Sequence, residues 1–119
     1  MARDAALVST WGASVRGREA KSLEVFMEFL QYWGKQAAEG RCSEPEPYIA
    51  ADGSTGMAIV RGRSDVLMEI ATSDEALKLI EKGQLIVEDL KTQWYFTGED
   101  EVQRSMSMFV ESGQELGLM

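Results

Sequence analysis

Residues 56–65 read GMAIVRGRSD, and their reading decides the fold. In an extended strand, successive side chains point to opposite faces, so four consecutive apolar residues, Met57 to Val60, require both faces of that strand to be covered. The following RGR ends the run, and Ser64 with Asp65 has the character of a helix start: a capping hydroxyl, then an acid that complements the helix N-terminus. Upstream, PYIA and MAIV flank DGSTG, whose Asp52, Gly53 and Gly56 suit a tight connection with positive φ, so the pair reads as a β-hairpin. Downstream, Leu67, Ile70 and Ala71, then Ala76, Leu77 and Ile80, keep helical spacing within two halves. Ser64 and Ser73 are the expected caps of a broken helix and Gly83 its stop, with a strand over VLMEI as the alternative.

The rest of the chain extends this pattern. AALVSTWG, closed by Gly12, reads as a first strand in which Leu7 and Val8 face opposite sides. From Ser22, the positions Leu23, Phe26, Met27, Leu30, Trp33 and Ala37 predict one face of a helix ending near Gly40. A second stripe, Val25, Phe29 and Tyr32, requires a further partner. In LIVEDLKTQWYF, Leu90, Thr92, Trp94 and Phe96 alternate with Lys91, Gln93 and Tyr95, which predicts a last strand with Trp94 and Phe96 in the core and Tyr95 on the other face. Thr97 is the expected cap of a final helix with Val102, Met106, Phe109 and Val110 on its apolar side, fraying at SGQELGLM.

Strand, helix, strand, strand, helix, strand, helix is the split βαβ order. It predicts an α+β, ferredoxin-like βαββαβ domain over residues 1–119, with a four-stranded antiparallel sheet and an extra C-terminal helix. Both helices of the repeat fall on one side of the sheet, so either the C-terminal helix or a second subunit must cover the other. From AALVSTWG to QWYFTG, and in the passage GMAIVRGRSD, the chain resembles the dimeric α+β barrel superfamily. That superfamily includes antibiotic-biosynthesis monooxygenases, muconolactone isomerases, stress-responsive barrel proteins and YCII-related proteins. The resemblance implies two subunits packed sheet to sheet. It carries no catalytic motif, and the haem-binding and His-Asp members depend on a histidine that this chain lacks.

Composition narrows the chemistry. Twenty acidic against twelve basic residues give a net charge of −8, which repels nucleic acid. Apolar runs of four residues are far short of a membrane span or a signal-peptide core, so a cytoplasmic protein is expected. The absence of histidine removes the usual general base and metal ligand. The single Cys42 admits neither an internal disulfide nor a thiolate cluster, and no metal or cofactor is expected.

Trp11, Tyr48 and Trp94 are candidate walls for a flat, hydrophobic small molecule, with core packing as the structural alternative. Arg61 and Arg63, next to the candidate ligand-binding Asp65 at the strand-to-helix passage, are candidate contacts for a ligand carboxylate or enolate, or else solvated charges. Asp52, Asp65 and Glu69 are the candidate bases. Tyr95, Met57 and Leu7 are the candidate dimer seam. A small-molecule binder, a cofactor-independent monooxygenase or isomerase, and a non-catalytic interaction or regulatory domain all fit these residues.

Overall fold

The computed structural model describes residues 3–119. Its elements are β1 (Asp4–Trp11), α1 (Glu19–Ala38), β2 (Glu46–Ile49), β3 (Gly56–Arg63), α2 (Ser64–Ala71), α3 (Asp74–Ile86), β4 (Lys91–Phe96) and α4 (Glu99–Glu115). The strands form one antiparallel sheet in the order β2-β3-β1-β4, which is the split βαβ order. Leu7 stands opposite Val60 and Trp94, while Val8 stands opposite Ile59 and Gln93, and this register divides the sheet into two faces. Ala5, Leu7 and Val60 meet Trp33 of α1 and Leu67 and Ile70 of α2 in the core. The opposite face carries Val8, Met57, Ile59 and Tyr95 and lies open.

VLMEI is helical. The break between α2 and α3 is fixed at Ser73, whose Oγ accepts from the Ala76 amide at 3.2 Å, donates to the Ile70 carbonyl at 2.8 Å and lies 2.9 Å from the Tyr32 hydroxyl. Ser73→Ala is therefore expected to cost about 1–2 kcal/mol in urea denaturation, and a loss under about 0.3 kcal/mol would contradict this role. Ser64, by contrast, is not a cap: its Oγ accepts from the Arg3 amide at 2.9 Å and so ties the start of β1 to α2. Gly83 does not stop the helix either. It lies inside α3, where a side chain would sit 2.7 Å from Leu90 Cδ2, so its bareness seats Leu90 against the helix.

On α1 the core-facing side draws on both stripes. Leu23 and Met27 are exposed, whereas Phe29, Tyr32 and Trp33 pack into or against the core and Gln36 is buried. α3 lies beside α1, and Tyr32 bonds to its cap, so the second stripe has found its partner. Gly40, at φ 75°, ends α1, with the Arg41 amide returning to the Gln36 carbonyl and that of Gly40 to Ala37.

α4 leaves the body of the molecule. It starts at Gly98, at φ 92°, with Thr97 paired to Asp4 instead of capping. Its end does not fray: the amides of Gly117 and Leu118 return to the carbonyls of Gln114 and Gly113. Gly113, beneath Met119, is its one buried residue. The radius of gyration of 16.8 Å and extents of 53 × 33 × 27 Å reflect this projection, since a compact chain of this length has a radius of about 13.5 Å. α4 therefore does not cover the open sheet face. No described helix is long and apolar enough to cross a membrane.

Candidate functional site

Between the helix-side face of the sheet and helices α1 and α3 lies a cavity of about 370 Å³. Its walls come from sequence-distant elements: Leu7 and Trp11 of β1, Phe26 and Phe29 of α1, Leu79 of α3, and Leu90 just before β4. The loop after β1 closes one end. There the Gly12 amide donates to the Glu88 carbonyl at 2.7 Å, and the Val15 amide to that of Ile86 at 2.8 Å. Leu23 and Ile49, both more than half exposed, stand at the rim.

The position of Trp11 depends on Gly56, directly opposite it in β3. A Cβ on Gly56 would lie 2.4 to 2.5 Å from three indole atoms, so the ring rests on bare backbone. Its other neighbour is Phe26, with centroids 5.7 Å apart and planes at 59°.

The side-chain polar groups of the cavity are hydroxyls and the indole N–H groups of Trp11 and Trp33. Ser9 and Thr92 share a hydrogen bond of 3.2 Å across β1 and β4, and Ser14 donates to Ser22 at 3.0 Å. No Asp, Glu, Lys, Arg, Tyr or Cys lines the cavity among the described residues. An ion placed there would be desolvated without a counter-charge, so the site suits neutral molecules.

Of the residues singled out by sequence, Trp11 and Leu7 line this cavity. Leu7, 6% exposed, faces the helices and not the open sheet face. Tyr48 and Met57 lie on the open face near the β2–β3 end, and Tyr95 lies on the same face, half exposed. Arg61, also on that face, is paired with Glu46, and Arg63 with Asp4 at 3.0 Å. Asp65 is exposed on α2. Trp94 and Phe96 are on the helix side of the sheet but not in the core, at 38% and 49% exposure, because no helix extends over β4. They line a separate groove of about 220 Å³ with Arg3 and Met68.

The acids considered as bases lie apart from the cavity. Asp52, on the hairpin, is held below the usual carboxylate range by the Ser54 hydroxyl and amide, and Glu69 pairs with Arg41 at 3.2 Å. Burial pushes the Cys42 thiol up, outweighing the neighbouring Arg41, which leaves it a protonated packing group against the core. No group of three or more potential metal ligands occurs among the described residues.

Sequence reasoning gave Gly56 a turn's role and Gly83 that of a helix stop, and it missed the Ser9–Thr92 pair. Gly56 has a turn's composition around it, and only the register that sets it opposite Trp11 gives it away.

No family model and no curated protein matches the chain. Solved structures do match in shape. SnoaB, a cofactor-independent oxygenase from Streptomyces nogalater, superposes with a TM-score of 0.64 at 11% identity, covering 82% of this chain and 95% of that one. Rv0793 from Mycobacterium tuberculosis gives 0.60 at 16% identity, over 81% and 96% of the two chains. A candidate antibiotic biosynthesis monooxygenase from Deinococcus radiodurans gives 0.62 at 15% identity, over 80% and 93%. Nearly all of each neighbour is matched, while the share of this chain left over is about as long as α4 with its tail. At such identities the likeness concerns the fold alone, and that fold is ferredoxin-like α+β.

Proposed function

We propose that the protein is a homodimeric binder of a neutral, largely apolar small molecule, held in the cavity between the sheet and helices α1 and α3. The observation that carries this reading is an aromatic and aliphatic enclosure whose side-chain polar groups are uncharged, hydroxyls and two indole N–H groups. Dimerisation through the open sheet face is supported by Val8, Met57, Ile59 and Tyr95, over which no described helix lies.

A neutral probe separates this reading from a charged-ligand one. N-phenyl-1-naphthylamine is expected to bind in the cavity, and its sulfonated analogue at least about tenfold more weakly, since no cation meets the sulfonate. Because no lining group titrates, the neutral probe's affinity should be flat from about pH 6 to 9. Tighter binding of the sulfonate, or a sigmoidal pH dependence with the fold intact, would sink the proposal.

A second reading, cofactor-independent oxygenation, is favoured by the shared fold with SnoaB. The cavity supplies no carboxylate or imidazole base, so the substrate would have to release its own acidic proton to solvent. Dioxygen uptake with an electron-rich hydroxyarene, measured in an oxygen electrode, tests it, and no uptake above the protein-free rate rejects it.

A further inference from the structure

α4 presents Val102, Met106, Phe109 and Val110 along one side, at exposures of 48%, 63%, 70% and 45%. These positions fall on one helical face, yet α4 has no extended packing against any other element of the chain. A groove that the chain leaves open lies at the root of the same helix, between α2 and β4, lined by Met68, Trp94 and Phe96, with Arg3 over the Phe96 ring at 5.2 Å. The two surfaces share a chain: the first turn of α4 meets the groove at Arg3, 3.9 Å from Glu101, while the apolar stripe beyond it stays exposed.

We propose that α4 is an exchanged arm. Its apolar stripe docks in the groove of a second copy, against the Met68, Trp94 and Phe96 surface there, and the reciprocal contact closes the pair. The proposal rests on the homodimer reading above.

Three observations select a second copy as the occupant. First, the acidic first turn, Glu99, Asp100 and Glu101, and the single basic residue of α4, Arg104, disfavour an anionic membrane, which takes basic amphipathic helices. Second, the open sheet face is small. Four strands about 4.8 Å apart and about 20 Å long give roughly 400 Å² of footprint, whereas a stable pair buries about 800 Å² per partner. An arm and a groove on each chain supply additional apolar area. Third, exchange of an identical element is a low-cost route to a dimer when the hinge is short, and here it is Thr97–Gly98, with Gly98 at φ 92°.

The test uses the full chain with a photoreactive benzoylphenylalanine in place of Phe109, mixed from ¹⁵N-labelled and unlabelled pools. Light scattering should give about twice the 13.2 kDa chain mass. After irradiation and trypsin, mass spectrometry is expected to find peptide 105–119 of one isotope joined to peptide 92–104 of the other. Cross-links only within one isotope would mean that α4 closes on its own chain, and links between two 105–119 peptides would mean helix–helix pairing. Either overturns the arm while leaving the dimer standing. A monomer at micromolar concentration overturns both readings. As an independent arm of the test, Met106→Glu with Phe109→Glu should raise the dimer dissociation constant at least about a hundredfold, and an unchanged constant would also overturn the proposal.

Discussion

Trp33→Ala is expected to lower stability by about 3–5 kcal/mol, and Met27→Ala by about 0.5 kcal/mol or less, in urea denaturation at fixed protein concentration. Trp33 is 4% exposed and belongs to the core cluster with Ala5, Leu7, Val60, Leu67 and Ile70. Its ring meets Tyr32 edge-on at 5.8 Å and Phe29 at 6.5 Å. Truncation removes a large apolar side chain from a position that also walls the cavity, so the void adds to existing empty space and the neighbours have little to collapse onto. Against a total of about 5–15 kcal/mol for a domain of this size, such a loss is a large fraction of the whole. Met27 lies six residues earlier on the same helix and is 52% exposed. Comparable losses at the two positions would mean that the Met27 edge of α1 is buried as well.

That pair of substitutions bears on what could be read without coordinates. Element order, the antiparallel sheet, the broken helix and the open sheet face were all legible, because each rests on periodicity or on a cap local in sequence. Where the core-facing side of α1 falls between its two apolar stripes was not legible. Trp33 and Phe26 come from one stripe and Phe29 and Tyr32 from the other, and the boundary depends on where α3 lies, a tertiary fact. The aromatics of β4 mislead for a related reason: Trp94 and Phe96 have the alternation of a core face, yet they lie at the end of an edge strand beyond the cavity that α1 and α3 cover. Their burial would require chain that is not adjacent, which is why they figure in the arm exchange and not in the cavity. Of the candidate wall residues, Trp11 lines the cavity, while the charged candidates Arg61 and Asp65 stand outside it. A charge in a binding role and a charge on a solvated strand end have the same sequence signature.

Gly56→Ala is expected to destabilise the protein by about 1–3 kcal/mol and to weaken binding of N-phenyl-1-naphthylamine at least about tenfold. The new methyl would lie 2.4 to 2.5 Å from three atoms of the Trp11 indole, a rigid ring system with no flexible end to swing aside. Phe26 already packs on the ring, at 5.7 Å between centroids. The ring must therefore move into the cavity it walls, and the two effects share one cause. Relief should follow from shrinking the ring: Trp11→Leu combined with Gly56→Ala should recover much of the lost stability and probe binding. Gly17→Ala serves as the contrast. Gly17 has φ 88° with open space around it, so the substitution is strained by about 1 kcal/mol but leaves probe binding unchanged. If Gly56→Ala bound the probe as the unaltered protein does, Trp11 would not bound the ligand space and the cavity reading would fail at its best-defined wall.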